Sequence, residues 1–176
     1  MTTSADMEEK NPLLERFKEI RNRTLELVKT LEKDDFVIQS EFFTSPPKWH
    51  IGHVSWIYEV IMSKIDKNYE FYSKEFSEYL NSYYQQFGVP HDKGKRGIIS
   101  RPTTEQIFHY FNTISQRVNH FIESKSLNND VMKLIAIGFH HECQHQELLV
   151  YDLQHLLAEQ YRPVRKNEKP HSSNFE

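Results

Sequence analysis

From Asn128 to Glu159 the chain runs without a proline, and Leu134, Ile137, His141, His145, Leu148 and Asp152 recur along it at steps of three and four. That period is the period of one helix face, so the segment predicts a single long helix with these residues on its inner stripe. An amphipathic helix of this length must bury its stripe against other helices or a sheet. The rest of the sequence supplies helices. After Asn11-Pro12, a cap followed by proline at the first helical position, Leu13, Phe17, Ile20, Thr24, Leu27 and Leu31 continue at steps of four and three. Asp34 and Asp35 close that helix. Ser45-Pro46-Pro47 forms a rigid approach to a second helix that begins close to Trp49 and carries Val54, Ile57, Ile61 and Ile65. Thr103 and Gln106 have capping-box spacing, and Ile107, Phe111, Ile114, Val118 and Phe121 extend a third long helix to near Ser126.

Between the second and third long helices, Tyr72, Phe76, Tyr79, Tyr83 and Phe87 form an aromatic stripe that predicts a packed helix within 69–87. Gly88 to Pro102 mixes glycine and proline with Lys93, Lys95, Arg96 and Arg101, which is loop chemistry with a local positive charge. No strand-like alternation is long enough to build a sheet. The expected fold is therefore all-α, an antiparallel four-helix bundle over 11–160 with a long irregular connection between helices 2 and 3. Residues 161–176 read as a polar, basic tail.

Composition removes several function classes. A formal net charge of −3 and a pI near 6.4 give no field that gathers phosphate backbones, so nucleic acid is not an expected partner. Mean hydropathy is −0.71, and no apolar run approaches the ~18 residues of a membrane span. Cys143 is the only cysteine, so no disulfide forms within the chain, and Met1 to Lys10 lacks the basic and apolar regions of a signal peptide. The expected location is the cytoplasm. What stands out is the number of histidines, 10, because imidazole is the commonest side-chain ligand for transition metals.

His141 and His145 are separated by one helical turn and project from one face, where two imidazoles can share an ion. An ordinary surface or core pair is the alternative reading of the two histidines taken alone. Their place on the expected inner stripe favours a metal, since a buried polar group without a partner is costly. A third ligand must come from another helix, and the second helix offers His50 and His53 near its start. His53 is preferred, because it lies a turn into the helix and its face continues to Ile57 and Val60. Cys143 falls about 200° from His141 and is expected to pack rather than ligate. Glu142 and Glu147 are expected to be solvated or to stand behind the ligands. Gln144 flanks the metal face, close enough to orient a substrate or a metal-bound water, although an ordinary surface glutamine is the more usual explanation. Asp152 lies on the same face, but roughly 10 Å beyond His145, and a buried pair with an arginine or lysine would suit it. His109, His120, His155 and His171 have no partner at ligand spacing, His140 points away from its neighbour, and all five are expected to be structural or exposed.

Three segments together carry a resemblance: Ser45-Pro46-Pro47-Lys48-Trp49-His50-Ile51-Gly52-His53, then Ser82-Tyr83-Tyr84 with Gly97-Ile98-Ile99-Ser100-Arg101-Pro102, then His140-His141-Glu142-Cys143-Gln144-His145-Gln146-Glu147-Leu148. In this order they resemble the N-terminal DinB-like domain of ergothioneine-type sulfoxide synthases, over roughly residues 12–160. The resemblance implies a nonheme iron enzyme that uses dioxygen to join the imidazole of a histidine betaine to the sulfur of cysteine or γ-glutamylcysteine. It implies Fe(II) on His53, His141 and His145, contact of Gln144 with the imidazole substrate, and Arg96 or Arg101 receiving the carboxylates of the thiol. Members of that family usually continue into a second domain similar to formylglycine-generating enzymes, for which this sequence has no counterpart. Three readings follow from that departure: the sequence is a fragment of a longer protein, it works with a separate formylglycine-generating-enzyme-like chain as partner, or it has kept the metal fold for another task. Two rival readings are a stand-alone DinB-like thiol transferase holding Zn or Ni, and a non-enzymatic metal-stabilised interaction module or homodimer.

Overall fold

The computed structural model describes residues 11–82, 91–124 and 127–160, and among these every regular element is helical. Helix α1 spans Pro12–Val28, and the Asn11 side chain accepts hydrogen bonds from the backbone N–H groups of Leu13 and Leu14 at 3.1 and 3.4 Å. Helix α2 spans Pro47–Ile65 and starts without a capping side chain. Pro47 at its first turn lacks an N–H that would be unsatisfied there anyway. A short helix α3 covers Lys74–Leu80 behind a Ser73 cap. The fourth, α4, spans Thr104–Ser124. Its entry is a reciprocal capping box, with Gln106 N–H donating to Thr103 Oγ1 and Thr103 N–H to Gln106 Oε1. The longest, α5, covers Asn129–Ala158, and Asn128 caps it by accepting from Asp130 and Val131.

Helix α2 is the centre of the bundle. From Pro47 to Met62 every residue is buried, and the helix packs against both α4 and α5, which also hold α1. The close approach of α5 to α2 requires Gly138, because a Cβ there would stand 2.7 Å from Tyr58 Cε1 and 2.9 Å from Ile61 Cδ1.

Two sequence expectations change. The helix expected over 69–87 reduces, within the described residues, to α3, while the positions of Tyr83 and Phe87 lie outside them. Tyr69 and Tyr72 precede α3 and serve a buried carboxylate instead. Glu59, fully enclosed, accepts from Tyr69 Oη at 3.0 Å, from Tyr72 N–H at 2.7 Å and from Tyr110 Oη. The basic loop likewise contains a 3-10 helix, Lys93–Ile98. Gln39 holds it, accepting from Gly97 N–H at 2.7 Å and donating to the Lys93 carbonyl at 2.8 Å. Buried Lys48 pins the chain just after it, donating to the carbonyls of Ile99 and Pro102.

The second correction is rotational. On α5 the face turned to the core carries Ile135, Gly138, Phe139, Glu142, Gln146, Leu149 and Leu153, whereas Ile137 and Leu148 are 59% and 43% exposed. Glu142, expected to be solvated or behind the ligands, is fully buried and ion-paired with Arg21 at 3.2 Å. His141 and His145 are consequently half-buried on the shoulder of the core face, where α5 borders a cavity. The expected tail over 161–176 lies outside the described residues.

Candidate metal centre

His53 enters the site from the first turns of α2, and His141 and His145 from the middle of α5. One ligand nitrogen from each lies within 4.8 Å of the other two. This is the triad the sequence selects. Each ring is placed by a different contact. The Nδ1 of His53 lies 2.6 Å from the carbonyl of Leu80, at the C-terminal end of α3 where helix carbonyls have no intrahelical partner. An amide carbonyl only accepts, so Nδ1 of His53 carries the proton and Nε2 presents its lone pair. Gly52 makes this contact possible, because a Cβ there would lie 2.6 Å from Leu80 Cδ2. The opposite face of His53 stacks on Trp49, with ring centroids 4.5 Å apart and planes 13° from parallel. Trp49 is itself fixed by Nε1–H donating to the Tyr79 carbonyl at 3.3 Å.

His50 is not one of the three. Its Nδ1 lies 3.0 Å from Nδ1 of His145, and its Nε2 lies 2.9 Å from Oδ2 of Asp152. The same carboxylate oxygen accepts from Ser45 N–H at 2.9 Å. Asp152 thus has a histidine and a backbone amide as partners in these bonds, where the sequence suggested an arginine or lysine.

Burial keeps these imidazoles neutral. It pushes His53 well below the usual histidine range, with His141 adding to the shift, and it lowers His141 to about 4. His145 is pushed down by burial and then by His53, and His50 falls because burial outweighs Asp152. Neutral rings are what metal ligation requires, since a protonated nitrogen has no lone pair to give. Nδ1 of His141 is buried with no hydrogen-bond partner, the condition of a nitrogen that a coordinate bond would satisfy. A face of three neutral nitrogens leaves positions open on a four- to six-coordinate ion, and it fits Fe(II), Zn(II) or Ni(II).

The triad opens on a cavity of about 500 Å³ whose lining includes Lys93, Arg96, Gln144 and Tyr151. Arg96 is buried, lies 3.4 Å over the Trp49 ring, and donates to Ser45 Oγ at 2.9 Å and Ser82 Oγ at 3.3 Å. Gln144 is exposed and lines the cavity, as its helix angle implies. Arg101 is exposed, bonds the Ser100 carbonyl, and is not among the lining residues. Cys143 and Glu147 line a different groove, between α1 and α5. His109, His120 and His140 are exposed, and His155 bonds Ser40 Oγ at 3.0 Å. The position of His171 lies outside the described residues.

Sequence reasoning missed Lys93 and left His50 as a second-choice ligand. A usable signal for His50 existed in Asp152, two turns beyond His145 on the same face of α5, since an acid there can reach a histidine that flanks the triad.

Among the described residues, a helical bundle sets one buried and two half-buried histidines against an open cavity, an arrangement that could hold one metal ion between helices. The family model of the DinB superfamily matches residues 16–149, so the chain belongs to that superfamily. The comparison with curated proteins returns no match.

Proposed function

We propose that the chain is the iron-binding half of an ergothioneine-type sulfoxide synthase, taking Fe(II) on His53, His141 and His145. The observation that carries the reading is the pairing of a neutral three-nitrogen face with a cationic cavity wall. Thiol and betaine substrates both bring carboxylates, and Arg96 and Lys93 stand on the wall that would receive them. Arg96 is the better placed of the arginines, since Arg101 lies outside the cavity lining. Gln144, on the helix that carries two ligands, is positioned to donate to or accept from an imidazole ring. The segments that carry the family resemblance, Ser45 to His53 and His140 to Leu148, supply the triad and much of the wall.

The reaction balances as thiol plus imidazole C–H plus dioxygen, giving an imidazolyl sulfoxide and water. One C–S bond forms, sulfur is oxidised, and dioxygen is the oxidant. A bound iron supplies dioxygen chemistry and Lewis acidity. This chain supplies fixed imidazoles, a cavity wall that can receive carboxylates, and an open cavity that a formylglycine-generating-enzyme-like second domain or separate chain would complete.

The test is oxygen consumption and product mass with anaerobically loaded Fe(II) protein, a histidine betaine, and cysteine or γ-glutamylcysteine, with and without such a second chain. The proposal expects dioxygen uptake and sulfoxide only when Fe(II), both substrates and the second chain are present. Turnover of a low-molecular-weight thiol by the Zn(II) or Ni(II) protein alone, without dioxygen, would overturn it in favour of a thiol transferase. Absence of turnover, with a partner that still binds the His145→Ala protein, would instead favour an interaction module.

A further inference from the structure

The hydrogen bonds around His50 leave one consistent arrangement of protons, and it bears on a residue that is not a ligand. Asp152 has a carboxylate that accepts only, so Nε2 of His50, 2.9 Å from Oδ2, carries the proton between them. A neutral His50 then has a bare Nδ1. That atom lies 3.0 Å from Nδ1 of His145, and exactly one proton is needed to join them. It must therefore belong to His145, which places the lone pair of His145 on Nε2. The opposite assignment would make His50 a cation in a buried position, in a cavity already walled by Lys93 and Arg96.

From this arrangement, and resting on the reading that the triad holds a metal, we propose that Asp152 and His50 act as positioning residues that fix the tautomer and ring orientation of His145. The relay runs from Ser45 N–H and Asp152 through His50 to His145, and so ties the ligand on α5 to the start of α2. His53 is set in the same sense by the Leu80 carbonyl. Two of the three ligands thus present Nε2 through separate devices, one a backbone carbonyl and one a histidine polarised by a carboxylate. Outer partners of this kind typically govern metal affinity by about 10–100-fold.

Substitutions can separate the relay from simple packing. In His50→Gln, the amide can donate to Asp152 and present its oxygen to His145 Nδ1–H, preserving the direction of both bonds. His50→Phe retains a ring but offers no acceptor. The experiment is nitrogen NMR of metal-free protein with ¹⁵N-labelled histidine, combined with Zn(II) affinity measured by chelator competition. The expected result is the Nδ1–H tautomer for His145 in wild type and in His50→Gln, and loss of that preference in His50→Phe. Zn(II) affinity should fall about 10–100-fold in His50→Phe and stay within a few-fold of wild type in His50→Gln. An Nε2–H tautomer for His145 in wild type, a reading that needs no variant, would overturn the proposal. So would unchanged Zn(II) affinity in a folded His50→Phe protein. Failure of wild type to bind any divalent metal would overturn the triad reading instead, and the tautomer measurement would still decide the relay.

Discussion

Arg21 and Glu142 form a buried ion pair between α1 and α5, the helix that carries His141 and His145. The pair is almost wholly buried. Thr24 Oγ1 donates to Glu142 at 2.6 Å, and Arg21 also donates to Ser55 Oγ, Ser115 Oγ and the Phe111 carbonyl. Removing one member leaves the other charged and desolvated, which costs about 3–5 kcal/mol. Glu142→Ala should therefore lower unfolding free energy by about that amount in urea titration, and the double change Arg21→Leu with Glu142→Leu should recover much of it. The histidines set a pH dependence. His141, lowered to about 4 from an ordinary value of about 6.5, binds a proton in the unfolded chain before it does so in the fold. Between those values the unfolded state carries more protons, so stability is fully present above about 6.5 and is lost as pH falls toward 4. Glu59, raised by burial, works in the opposite sense, so the clean readout is comparative. The melting temperature of metal-free His141→Gln should drop less between pH 7 and pH 5 than that of wild type.

At the scale of elements, α3 is small but places one histidine of the candidate site, because its last carbonyl orients His53 and its Leu80 side chain occupies the space Gly52 leaves. Gly52→Val would press on Leu80 of α3 and Ile107 of α4, which must shift to admit it. It should cost about 1–3 kcal/mol by overpacking and weaken Zn(II) binding, whereas Asn128→Ala, at the remote start of α5, should cost about 1 kcal/mol without changing metal affinity. Denaturation and chelator competition on the two variants check this contrast. The four long helices were legible in the sequence because each carries periodic apolar residues, with Asn11-Pro12 opening α1, Pro46-Pro47 opening α2, a Thr103–Gln106 box opening α4 and no proline inside α5. The phase of α5 was not. Ile137 and Leu148 are apolar yet exposed, and Glu142 is charged yet fully buried, because its partner Arg21 sits on α1, far away in sequence. Periodicity has no access to a long-range ion pair, so it turned the stripe by about one residue. The aromatic run misled because Tyr72, which precedes α3, packs its ring on Phe76 and Tyr110 while its backbone N–H bonds Glu59, so its burial needs no helix at that position. The triad was legible despite the phase error, because the one-turn spacing of His141 and His145 keeps both rings on one side wherever that side points.

Across the whole molecule, the packing of α2 against α5 brings His53 beside His141 and His145, which are far from it in sequence. No helix among the described residues is long and apolar enough to cross a membrane. A metal ion on His53, His141 and His145 would be countable as metal content per chain after anaerobic purification and Fe(II) reconstitution, in wild type and in a variant with all three histidines changed to Ala. One equivalent of metal is expected in wild type and none in a folded triple variant. Wild type without metal in any preparation, or a triple variant that retains it, would rule out a metal on this triad.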